Sequence, residues 1–255
     1  ASSDLTGKAC SPNTIHWTYD TWALANGTGN AVVKTGGDSW FFITADYAFG
    51  HALERDVEAV VLKNWGKVLG KVRHPLNNQD FSSFLLQAQA SKAKIVGLAN
   101  AGADVTNSIK QGAEFGIVKG GQNFAGLLVF ITDVHALGLE KAQGLIFTET
   151  FYWDMNEQTR AFAKRFAERN RGIHPTMIHA GAYAGTLHYL KAVEALKSDD
   201  GTRAIAKMKE MATDDQLFGK GVVRADGRKI HPAYLFEVKK PSESKYPWDY
   251  YKVRV

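Results

Sequence analysis

Short, wholly apolar runs alternate along much of this chain with stretches in which apolar residues recur every three or four positions. The run Trp40 to Ala45 is rich in aromatic and β-branched residues and follows Gly36-Gly37-Asp38. A strand covered by helices on both faces has no wet side to force alternation, so this run predicts a buried strand. Asp46 to Gly50 then predicts a turn, and Leu53, Val57, Val60 and Val61 share one helical face beyond it. The unit repeats. Lys67 to Arg73 predicts a second strand, followed by a helix over 80–90 in which Asp80 can cap the first turn. Lys94 to Asn100 predicts a third, followed by a helix through Val105, Ile109, Ala113 and Phe115. Phe124 to Phe130 predicts a fourth, with a helix over 132–138, and Gly144 to Thr148 a fifth. The first four strands begin about 27 to 30 residues apart, the length of a strand, a helix and two connections. The fold class predicted is α/β, a doubly wound parallel sheet with helices on both faces.

The rhythm changes at Phe151-Tyr152-Trp153-Asp154. Three helical patterns follow, over 156–170, 176–196 and 200–212, with no strand between them. That block therefore packs apart from the sheet. β character returns at Lys220 to Arg224, and Asp226-Gly227 predicts a hairpin turn into a second arm over 231–240. With 255 residues, two lobes are expected.

Open α/β sheets bind ligands at the carboxyl ends of their strands. That rule brings forward Asp46, Tyr47 and Phe49 after the first strand, Asn100 and Ala101 after the third, and Phe130 after the fourth. Phe151, Tyr152 and Trp153 at the change of rhythm add aromatic surface. Aromatic walls with a few directed polar groups are the usual lining of a small-molecule cleft. Asp46, Asp104 and Asp133 suit either a general base or a charge at a helix N-terminus. Eight histidines include no HExxH pair, and the single Cys10 cannot complete a zinc site or an internal disulfide, so no metal is expected. No Walker, dinucleotide or G-x-S-x-G motif stands in the place that would give it meaning, so no cofactor is expected. The net charge of +5 is spread along the chain, and no nucleic-acid partner is expected. No apolar run approaches the ~20 residues of a membrane span. The chain opens Ala1-Ser2-Ser3-Asp4 without an initiator Met, which predicts a removed leader or a cut.

Several short stretches together carry a family likeness. They are Asp4-Leu-Thr-Gly7, Ser11-Pro-Asn13, Ile15 to Asp20, Asp46 to Gly50, Asp80 to Phe84, Ala142 to Leu145, Phe151 to Asp154 and Gly219-Lys-Gly221. In order and spacing they resemble the periplasmic solute-binding proteins of branched-chain amino acid-type ABC transporters. The resemblance implies a type I fold of two α/β lobes joined by three crossovers, closing on a ligand at the hinge. It implies lobe 1 over 1–19 and 152–216 and lobe 2 over 20–151 and 217–255, with the opening units of lobe 1 absent. Ser2 and Ser3 then stand nearest the loop that holds the ligand carboxylate, and Tyr19 lies at the first crossing. Phe49 takes the place of an aromatic that stacks on the ligand, and Asn100 and Ala101 match a contacting loop. Where amino-acid binders carry an acid for the ligand ammonium, this chain has Leu128, with Asp133 the nearest carboxylate. The resemblance thus implies a non-enzymatic, monomeric periplasmic receptor for an apolar or aromatic carboxylate, or a branched or aromatic amino acid. It would deliver the solute to an ABC permease. A ligand-sensing domain of a regulator, or an α/β enzyme using Asp46 or Asp133 as base, are the alternatives.

Overall fold

The computed structural model describes residues 1–254. The chain divides into two compact units and passes between them three times, after Asp20, Thr148 and Ala233.

The larger unit begins with a continuous helical segment made of α1 (Thr21–Leu24), a π-helical turn (Ala25–Gly29) and α2 (Asn30–Lys34). It continues as β1 (Ser39–Ala45), α3 (Ala48–Lys63), β2 (Lys67–His74), α4 (Ser82–Ser91), β3 (Ile95–Ala99) and α5 (Ala103–Glu114). Then come β4 (Asn123–Gly126), α6 (Ile131–Leu137), α7 (Leu139–Ala142) and β5 (Ile146–Glu149). The first four strands form one parallel sheet in the order β2-β1-β3-β4. β1 and β3, in the middle, are buried almost throughout, as their unbroken apolar runs predict, while β2 at the edge alternates in exposure. The α/β class and the helices that follow β1 to β4 agree with the sequence pattern, whereas the helical segment over 21–34 was not predicted. β4 stops at Gly126, earlier than the apolar run to Phe130. Gly126 is in register with Leu98 and β3 ends one residue later, so nothing remains for a longer strand to pair with.

The smaller unit holds 3–20 and 149–233. Its helices are α8 (Glu157–Arg169), α9 (Met177–Leu196) and α10 (Gly201–Glu210), whose N-caps Asn156, Thr176 and Asp200 each accept a first-turn backbone N–H. A small antiparallel sheet follows, β6 (Thr213–Asp215), β7 (Gly219–Val223) and β8 (Lys229–Ile230). The Asp226-Gly227 turn joins β7 to β8. Gly227 has φ +88° and a Cβ there would lie 2.1 Å from the Thr14 carbonyl oxygen, so only glycine fits.

Two expectations change here. The second hairpin arm is only Lys229–Ile230, and the last crossing falls after Ala233, well beyond the boundary at 216/217 that the family likeness implies. Downstream, β9 (Tyr234–Val238) and β10 (Tyr251–Val253) belong to the larger unit, where they join β5 in a separate sheet of order β10-β9-β5. β5 therefore does not extend the parallel sheet. Its hydrogen-bonded neighbour comes from about ninety residues downstream, a pairing local periodicity cannot encode.

Candidate ligand-binding residues

The turn after β1 is shaped by close backbone approach. A Cβ on Gly50 would lie 2.0 Å from the carbonyl oxygen of Ala45, so the first turn of α3 can press onto the strand end only with glycine there. Tyr47 caps α3 in extended conformation with its ring part-exposed, 5.9 Å from the buried ring of Phe49. Burial, and then the charge of Asp104, hold the Tyr47 hydroxyl above its ordinary pKa. Asp46 faces solvent, accepts from the Nε2 of His51 at 2.7 Å and lies 3.9 Å from Arg73.

After β3, Asn100 is fully buried. Its amide donates to the Nε2 of His74 at 3.1 Å and to the Ser108 hydroxyl at 3.3 Å, while its Oδ1 has no partner among the described residues. His74, whose Nδ1 donates to the Pro75 carbonyl, is packed edge-on by Phe81 at 4.8 Å. Ala101 is half-buried in the connection to α5. Asp104 in the first turn of α5 accepts the N–H groups of Asn77 and Asn78 at 3.1 and 2.8 Å. This buried network around His74 and Asn100 was not foreseen; the one sequence cue is that His74 ends a strand just before a proline.

After β4, half-buried Phe130 is the N-cap of α6. Its N–H donates to the carboxylate of Asp133 at 2.9 Å, and the Asp133 N–H returns to the Phe130 carbonyl at 2.9 Å. Burial lifts Asp133 to a pKa of about 6, a rise that the Phe130 bond only partly offsets. β1, β3 and β4 therefore bring Asp46, Tyr47, Phe49, Asn100, Ala101, Phe130 and Asp133 to one end of the sheet. Leu128, near the same end, is buried. A cavity of about 820 Å³ lies at the opposite end, lined by Gly36, Ile95, Asn123, Phe124 and Leu145.

In the smaller unit Ser3 opens a 3-10 turn (Ser3–Thr6); half-buried Ser2, just before it, groups with the larger unit. Tyr19 is buried and its carbonyl accepts from the Nε2 of His16 at 2.6 Å. Phe151 is enclosed by Phe162 at 6.0 Å and Phe218 at 6.5 Å, Tyr152 is buried, and half-buried Trp153 packs against His174 at 4.2 Å with the rings tilted by 43°. A polar cluster that sequence reading missed lies in the same unit. Arg228 pairs with Asp20 at 2.8 Å, both nearly buried, and donates to the carbonyls of His16 and Thr18. Fully buried Lys229 donates to Thr213 and lies 5.5 Å from the Trp17 ring centroid.

The model of the periplasmic binding protein family matches residues 1–245. This chain belongs to that family. The periplasmic binding protein of Burkholderia mallei, a solved structure, is 55% identical with a TM-score of 0.97, and the match covers 100% of this chain and 67% of that one. A branched-chain amino acid ABC transporter ligand-binding protein of Burkholderia xenovorans is 36% identical with a TM-score of 0.85, covering 100% and 68%. Among curated proteins, Leu/Ile/Val-binding protein homolog 6 of Brucella melitensis is 26% identical over 257 residues, 96% of this chain and 64% of its own length. The chain thus spans about two thirds of the length of its relatives. It is a periplasmic binding protein of the branched-chain amino acid transporter type, and these relatives are solute-binding proteins, not enzymes.

Proposed function

We propose that this periplasmic binding protein is an extracytoplasmic receptor that captures a small apolar or aromatic carboxylate and hands it to an ABC permease. A branched or aromatic amino acid is the nearest alternative ligand. The observation that carries the choice is the state of the carboxylates at the carboxyl end of the parallel sheet. Asp46 is taken by His51, Asp104 by two backbone N–H groups, and Asp133 by the N–H of Phe130. Of these three only Asp133, which accepts a single N–H, keeps a charge that an ammonium group could meet, and buried Leu128 stands where the family likeness places the ammonium's partner; a buried cation without a partner is strongly disfavoured. Part-exposed Tyr47 and half-buried Phe130, with buried Phe49 packed against Tyr47, offer ring surface to a ligand that lacks that charge. Solute-binding proteins of the same fold from Rhodopseudomonas palustris, 20–21% identical, are solved with benzoate, 4-hydroxybenzoate and 3,4-dihydroxybenzoic acid.

In this reading the larger unit is most of one lobe and the smaller unit part of the other. Phe49 covers the ligand ring, with Tyr47, Ala101 and Phe130 beside it. Asn100 holds the loop from below, and Ser2, Ser3, Tyr19 and Phe151 to Trp153 serve from the crossover segments. Differential affinity for the closed form then drives closure, which the permease reads.

Thermal-shift titration of the protein with benzoate-type acids and with leucine, isoleucine, valine and phenylalanine tests this. Aromatic acids at a hundredfold excess over Kd should stabilise it by about 2.7 kcal/mol. Strong stabilisation by aliphatic amino acids, with none from aromatic acids, would sink the ligand assignment.

A further inference from the structure

In a parallel α/β unit, strands begin and helices end at one common face. In the larger unit this face carries exposed Lys34, Lys63 and Lys92 at the ends of α2, α3 and α4, and Lys67 at the start of β2. Lys119 and Lys141 line the cavity at the same end. None of these six has an ion-pair partner among the described residues, whereas neighbouring Lys94 is paired with Asp38 at 3.0 Å. Asp38, Glu114 and Glu140 are acids at this end, and Asp38 also feels the charge of Lys67. Lysines at helix C-termini answer the helix macrodipole, so the charge by itself has an ordinary explanation.

Trp65 does not. α3 ends in a Schellman motif, in which the Gly66 N–H donates to the Val61 carbonyl at 2.9 Å and the Trp65 N–H to the Leu62 carbonyl at 3.1 Å. The motif needs a left-handed residue where Trp65 stands, at φ +64°, a position that favours glycine. The indole is 92% exposed, and Leu62 beside it 53%. Neither packing nor backbone preference accounts for a tryptophan there, and a conformational outlier of this kind points to use. An indole flanked by Lys63 and Lys67 is the composition that settles among lipid headgroups, apolar body inward and cations at the phosphates.

We propose that this face of the larger unit docks on an anionic bilayer surface, with Trp65 entering the headgroup layer and the unpaired lysines meeting lipid phosphates. The proposal goes beyond the ligand reading and does not depend on it. Co-sedimentation at low salt compares vesicles of phosphatidylglycerol and phosphatidylethanolamine, mixed one to three, with vesicles of phosphatidylcholine. The protein should sediment with the former only, and added salt should release it. A Lys63→Ala, Lys67→Ala double variant should partition roughly thirtyfold more weakly, at about fivefold per lysine. Trp65→Gly, which puts the favoured residue in the motif, should unfold no earlier than the parent and keep its ligand response, yet lose partitioning several-fold. Absence of sedimentation, or a Trp65→Gly variant that sediments like the parent, overturns the proposal. So does lipid-free self-association that Trp65→Gly abolishes, since that would assign the face to a second copy of the protein.

Discussion

Asp133 keeps a carboxylate where little water reaches, and the consequence can be measured. Its ordinary pKa is 3.8 and burial raises it to about 6 in the folded chain. A folded state that binds the proton more tightly than the unfolded one loses stability as pH rises from about 4 to about 6, and carries the full penalty above that. Asp133→Asn removes the charge and keeps an oxygen for the Phe130 N–H. It should therefore raise stability at about pH 7.5, by up to roughly 3 kcal/mol, and do little near pH 4. Urea unfolding at the two pH values checks this; equal gains at both would mean that ionisation is not the cause. The sequence left Asp133 between a base and a cap, because a letter does not tell how wet its site is. The structure shows a cap with its charge under strain. Asn100 was legible only as a residue at a strand end, whereas its burial against His74 and Ser108 depends on β2 and α5 arriving beside it.

At the scale of elements, β1, its turn and α3 form the best specified part of the chain. The turn depends on Gly50, and Gly50→Ala would force the helix start off the Ala45 carbonyl. Overpacking of that kind should cost about 2 kcal/mol, read as a lower thermal midpoint, and should displace the adjacent Phe49. Restored stability with Gly50→Ser, which also adds a Cβ, would contradict the argument. The three long C-terminal helices, with their caps Asn156, Thr176 and Asp200, were legible for the same local reasons: side-chain period and a capping oxygen. Strand partners were not. β4 is cut short by the end of β3, and β5 turns to β9 in place of β4. Trp65 marks the opposite limit, a residue whose local motif asks for glycine and whose exposure answers to something outside the fold.

At the scale of the molecule, the segment before the first crossing is laced to the segment before the last. His16 forms a bridge with Arg228, and Arg228 pairs with Asp20 in a nearly dry site. Arg228→Ala should cost about 3–5 kcal/mol, because it strands the Asp20 carboxylate, and should be read as a lower denaturant midpoint in chemical unfolding. Asp20→Asn with Arg228→Met should recover much of that loss, since the double change leaves no unpaired charge. A near-silent Arg228→Ala would show the pair to be dispensable. The sequence by itself determined the α/β class, the order of the first four strands and the helices that follow them, the aromatic turn after β1 and the family likeness. All of these rest on period, composition and short-range order along the chain. Only the tertiary structure decided where the last crossing falls, which strand β5 joins, which carboxylates are already engaged and that Arg228 meets Asp20. Those facts depend on residues far apart in sequence meeting in space, and on how much water is left when they do.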